Sequence, residues 1–177
     1  MPIHFFYRLL LASIFIGQVG ISYADESKDE YTVKTAFIYN IVRMVEWPDD
    51  KQETQNPIYI CLLGEDYFGE SINALQRKMV RNRPLMIKKD ITFNMVKTCH
   101  VLFISASEKQ NLATIFNMVG SLPILTMSDV NAFAESGGIV NLWRDEERIK
   151  VEVNLSIAEK VNLKISARLL QLARVIQ

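Results

Sequence analysis

Residues that hold metals and cofactors are scarce in this sequence. It has two cysteines, Cys61 and Cys99, and two histidines, His4 and His100. No C-x-x-C occurs and only His100 lies beyond the first 24 residues, so neither structural zinc nor any other cofactor is expected. Long apolar runs are missing too. Beyond the N-terminus nothing approaches the roughly 20 residues that cross a bilayer as a helix. Nor is there an excess of one charge. Twenty Lys and Arg balance 20 Asp and Glu, which leaves no electrostatic footprint for nucleic acid and no like-charge tail for a polyanion or a membrane surface. The chain also lacks repeats, low-complexity tracts and Pro/Gly-rich linkers, so nothing divides it into domains.

The N-terminus has the layout of a secretory signal. His4 and Arg8 start it, an apolar stretch runs from Leu9 to Ile21, and Ser22-Tyr23-Ala24 places small residues where a signal peptidase reads. Acidic residues begin at Asp25. The alternative is an uncleaved anchor, but the apolar core is too short to span a bilayer and is interrupted by two glycines and a glutamine. The expected organisation is a cleaved signal peptide over 1–24 and a single domain over 25–177. Loss of Arg8 leaves 19 cationic and 20 anionic side chains, a net charge of −1. The mature protein is expected to be periplasmic and not inserted in the membrane.

The rest alternates strand and helix signals. Val33, Phe37, Ile41, Met44 and Val45 recur at helical spacing over 30–46, with Lys34, Asn40 and Arg43 on the wetter face. Short apolar runs at 58–64, 84–89, 101–105 and 123–128 read as buried strands. Helices are expected over 70–79, over 108–119 behind a Ser107 cap, and over 130–135 behind an Asp129 cap. Residues 139–144 and 149–155 read as an antiparallel hairpin. In its second arm Ile149, Val151, Val153 and Leu155 alternate with Arg148, Lys150, Glu152 and Asn154, which places Glu152 on the wet side. A last helix is expected over about 161–175. The fold class is α/β: a mainly parallel sheet of about six strands, flanked by about five helices, with the antiparallel hairpin at its edge.

Catalytic chemistry has little to work with. His100 follows Cys99 directly, but neighbours in a strand point to opposite faces and an oxidised cysteine attacks nothing. Ser105, Ser107 and Ser128 lie near the carboxyl ends of expected parallel strands, where α/β sheets take ligands, yet none sits in G-x-S-x-G. The loop Gly64-Glu65-Asp66-Tyr67-Phe68-Gly69 lacks the lysine of a phosphate loop. Arg77, Lys78, Arg81 and Arg83 form a basic cluster that reads as solvated surface. No enzyme is indicated. In an exported protein two cysteines usually form a bridge, with two buried thiols as the alternative.

The blocks "EYTVKTAFIYNIVRMVEWP" (30–48), "ICLLGEDYFG" (60–69), "RPLMIK" (83–88), "CHVLFISASE" (99–108), "PILTMSD" (123–129), "FAESGGIVNL" (133–142) and "KVEVNLSIAEKVNLKISARLLQLARV" (150–175) follow one another in the chain. Together they resemble the YfiR-type periplasmic proteins. The resemblance implies a homodimeric repressor that binds the periplasmic sensory domain of an inner-membrane diguanylate cyclase, and so lowers cyclic di-GMP and biofilm formation. It also implies sequestration by an outer-membrane, peptidoglycan-associated lipoprotein and a Cys61–Cys99 disulfide. Some relatives carry a second cysteine pair within the region matching 134–142, and this chain has none there. In the family the C-terminal part supplies the partner-binding surface, which maps here onto "VEVNLSIAEK" and marks Glu152 and Ile157. The rival reading is a periplasmic small-ligand receptor using the crevice at Ser105, Ser107 and Ser128.

Overall fold

The computed structural model describes residues 23–48, 56–146 and 148–177. The leader expected over 1–24 therefore lies outside the described residues but for its last two. Helix α1 (Tyr23–Arg43) leads into β1 (Val45–Glu46). Then come β2 (Ile58–Leu63), β3 (Met79–Val80), β4 (Arg83–Ile91), β5 (Val101–Ile104), α2 (Leu112–Val119), β6 (Leu125–Ser128), β7 (Val140–Asp145) and β8 (Arg148–Asn154). The chain ends through α3 (Leu155–Lys160), β9 (Lys164–Ile165), α4 (Ala167–Leu172) and β10 (Arg174–Ile176).

The main sheet has eight strands in the order β10-β8-β7-β6-β5-β2-β4-β3. All six expected strands are present, and the short β3 and β10 extend its two edges. From β4 to β7 the neighbours are parallel; β8 runs antiparallel to β7, β3 antiparallel to β4, and β10 parallel to β8. Numbered by their own appearance, the five parallel strands run 2-1-3-4-5, the flavodoxin-like doubly wound order. Ile60, Leu62, Phe103 and Met127 pack on one face with α1. Cys61, Leu63, Leu102 and Ile104 pack on the other with α2. Burial on both faces explains why these strands read as unbroken apolar runs.

The helices depart from expectation in instructive ways. Over 70–79 only a 3-10 turn forms, Ser71–Leu75, before the chain enters β3. The segment 108–119 begins as a 3-10 turn, Ala106–Asn111, and becomes α-helical at Leu112. It stops at Gly120, whose φ of 53° suits a residue without Cβ. No helix forms over 130–135, which is a run of turns. Asp129 caps nothing there; Ser128 Oγ accepts from Val130 N at 3.0 Å instead. The last helix covers only Ala167–Leu172, because Ala173 is extended (φ −111°, ψ 156°) and the chain then pairs with β8. The β7–β8 hairpin is consequently one strand in from the edge.

The core face of α1 is also displaced. Ile38, Ile41 and Val42 are buried together with Lys34, whereas Val33 is exposed. Apolar spacing alone selects the wrong stripe because Lys34 carries its own partners inward.

Candidate functional site

The reversal in strand order lies between β2 and β5, the place where such sheets usually take a ligand. Here the turn after β2 lies close against the turn after β5. Gly64 (φ 91°) turns the chain so tightly that a Cβ would overlap Ser107 Oγ and the Glu108 side chain. Ser107 Oγ accepts from Glu65 N at 3.0 Å, and Ser105 Oγ donates to Glu65 O at 2.6 Å. Ser128 Oγ donates to Ile104 O at 2.6 Å. All three serine hydroxyls thus hydrogen-bond to backbone groups of neighbouring segments.

Cys61 in β2 and Cys99 at the entrance to β5 form a disulfide, with Cα atoms 5.9 Å apart and both residues buried. His100 Nδ1 faces Tyr59 N at 3.2 Å, and its Nε2 lies 2.9 Å from Arg83 Nη2. Arg83 is not solvated surface: it is 1% exposed, and its Nε donates to Asn56 O at 2.8 Å. His100 and Arg83 therefore brace β4 against β2 and β5. Among the described residues no cluster of His, Cys, Asp and Glu could hold a metal.

Glu152 is the sharpest departure from the alternation. Although its position in β8 reads as wet, it is 4% exposed. Strand β10 lies beside β8 with Arg174 opposite Glu152, and Arg174 Nε donates to Glu152 Oε1 at 2.7 Å. The same guanidinium donates through Nη2 to Glu135 Oε1 at 2.9 Å. These two hydrogen bonds, Glu152's first, raise the Arg174 pKa above its ordinary value. Asn141, opposite Glu152 in β7, lies 3.5 Å away through Nδ2. A crevice of about 280 Å³ opens between these groups and the 131–135 turn, with Trp143 on its wall. Asn141 Oδ1 and Trp143 Nε1 are buried without a hydrogen-bond partner among the described residues. A face that the sequence marks as solvent is thus an acid–base–acid clamp with unused polar capacity.

Ile157 is not brought to this clamp. It lies in α3, half-buried against the cluster that contains Val151 and Val153, on the sheet face opposite Glu152. Asn154 caps α3 by accepting from Ile157 N at 3.0 Å. An Asp at this position would cost packing as well as any surface contact.

A second polar network escapes sequence reasoning altogether. Lys34 Nζ reaches Asp129 Oδ2 at 2.6 Å and Glu30 Oε1 at 2.5 Å, and Tyr31 OH donates to the same Asp129 oxygen at 2.7 Å. Arg144 Nη1 adds a contact to Glu30 at 3.2 Å. Burial, then the hydrogen bond to Asp129, drives the Tyr31 pKa well above the usual range and keeps its hydroxyl a donor. Burial alone would raise the Glu30 carboxyl. Lys34 and then Arg144 more than offset that and hold it below its ordinary value. The network latches α1 to the end of β6 and to the hairpin, a structural task.

Residues 31–174 match the YfiR/HmsC-like family. The chain belongs to this family. No curated protein is significantly similar to it in sequence. Solved structures share its fold at low identity. One is the ABC domain in complex with L-Trp from Streptococcus pneumonia, with a TM-score of 0.54 and 11% identity over 82% of this chain. Another is a conserved domain protein from Vibrio cholerae O1 biovar eltor, with a TM-score of 0.52 and 10% identity over 83% of this chain. The chain spans 60% of each of those chains, and at such identity the likeness is one of fold alone. Among the described residues no helix is long and apolar enough to cross a membrane.

Proposed function

We propose that this YfiR/HmsC-like chain is a periplasmic negative regulator that binds the sensory domain of an inner-membrane diguanylate cyclase and holds the cyclase inactive. The observation that carries this reading is the family match across 31–174, which takes in both the disulfide and the Glu152 clamp. The protein performs no chemistry of its own. It acts as a homodimer, is exported with loss of residues 1–24, and is relieved when an outer-membrane, peptidoglycan-associated lipoprotein sequesters it.

Contact with the cyclase falls on the C-terminal part of the sheet. There Glu152 works by fixing Arg174, which is itself exposed, beside Glu135 and Trp143. Such a clamp suits recognition, since a guanidinium held by two carboxylates offers its remaining donors in a set direction. Ile157 contributes through the half-buried surface of α3. The test is affinity capture of the tagged protein from membranes of its own host, with mass spectrometry of what is retained. A diguanylate cyclase with a periplasmic domain is the expected catch. Retention of an unrelated sensor, or of no membrane protein, overturns the reading in favour of a small-ligand receptor.

A further inference from the structure

Next to the Glu152 crevice lies a cleft of about 970 Å³ between α1, the β7–β8 hairpin and α4. Its floor is made by the buried Ile41, Val151 and Leu169. Phe37 in α1 and Met44 just after it wall one side, Ile149 the hairpin side and Leu172 the α4 side. Leu172 is 69% exposed, a large apolar side chain standing in water at the lip.

The rim has the opposite character. Arg43, Lys150, Arg168 and Arg174 line the cleft with Asp145 as the only acidic side chain among the described residues, in a chain that is neutral overall. Arg174 is already held by Glu152 and Glu135, and Lys150 stands 3.8 Å from Asp145. Arg168, by contrast, makes no hydrogen bond or ion pair among the described residues. Arg43 rests over the Tyr39 ring, 5.5 Å from its centre, and makes no ion pair among the described residues.

Apolar walls beneath a rim on which Arg43 and Arg168 form no ion pair among the described residues define the chemistry of an occupant. It needs a hydrophobic body to cover the floor and one anionic head to meet the arginines. Size favours a small molecule over a protein segment. The α1 wall runs from Phe37 to Arg43, about 9 Å of helix, and the volume falls in the range of small-ligand sites. We propose that this cleft is a binding site for a hydrophobic carboxylate, with its apolar body on Ile41, Val151 and Leu172 and its carboxylate at Arg168 and Arg43. Arg174 and Trp143 line both this cleft and the Glu152 crevice, so the head of a bound ligand lies close to the clamp. The binding claim stands apart from the cyclase reading.

Dodecanoate, used below its micelle concentration, is the probe. Isothermal titration should show saturable binding of one dodecanoate per chain. Affinity should fall at least tenfold in Arg168→Glu and in Leu172→Asp. Both substitutions alter exposed side chains and leave the fold unchanged by circular dichroism. Lys109→Glu, on the exposed turn before α2, should bind as the parent does, and dodecyltrimethylammonium, with the same tail and the opposite charge, should not bind. The proposal is overturned by absence of saturable binding, or by equal binding of the cationic amphiphile. It is overturned equally if Lys109→Glu weakens binding as much as Arg168→Glu, or if neither cleft variant weakens it.

Discussion

Breaking the Cys61–Cys99 bridge should lower stability mainly by releasing the unfolded chain. The cross-link joins residues 38 apart in sequence. In the chain-entropy treatment a loop of that length constrains the denatured ensemble by about 4 kcal/mol at 25 °C. For a domain of this size that corresponds to roughly 8–16 °C in the thermal midpoint. Both cysteines are buried, so a reductant reaches the bridge only when the chain opens. The cleaner perturbation is the double variant Cys61→Ala/Cys99→Ala, compared with the oxidised parent by urea unfolding. Two signatures are expected together. The midpoint falls by an amount equivalent to about 4 kcal/mol, and the slope m rises because an unlinked chain exposes more surface when unfolded. A variant within 1 kcal/mol of the parent, or one with an unchanged m, would refute this reasoning.

Two further outcomes follow from the polar networks. Arg174→Ala should lower the melting temperature by stranding the Glu152 carboxylate in a buried position, and adding Glu152→Gln should restore part of the loss. A double variant less stable than Arg174→Ala alone contradicts the clamp. Glu30→Gln should be less stable than the parent at pH 7. Because the folded pKa of Glu30 is depressed, its contribution is complete above the ordinary value of 4.5 and is lost as pH falls through the lower folded value. Unfolding curves of the two proteins should therefore converge in acid, and a gap that persists there counts against the Lys34–Glu30 pairing.

Local pattern revealed those parts of the fold that local forces decide. Runs such as 58–63 and 101–104 are apolar because both sheet faces are covered, and the strict alternation of 148–154 marks the hairpin. What pattern could not supply was the identity of the element that arrives from elsewhere. Leu169, Leu170, Ala173 and Ile176 have helical spacing, yet the edge of β8 offers unpaired backbone groups that the last residues satisfy as β10. That same arrival buries Glu152 and turns an apparently wet position into a clamped one. Lys34 was misplaced for a related reason. Its partner Asp129 lies 95 residues away and reads locally as a helix cap. The cleft between α1, the hairpin and α4 is formed by three such remote segments. Its one local trace is the pair of arginines, Arg168 and Arg174, near the C-terminus.

The most direct test of the regulatory reading measures cyclic di-GMP in the protein's own host. The gene is deleted, then restored as the parent or as Glu152→Gln, with periplasmic level and folding of both products checked. The account predicts that deletion raises cyclic di-GMP, that the parent restores the low level, and that Glu152→Gln, which keeps the side-chain volume but releases Arg174, accumulates folded but does not. Unchanged cyclic di-GMP on deletion would contradict it.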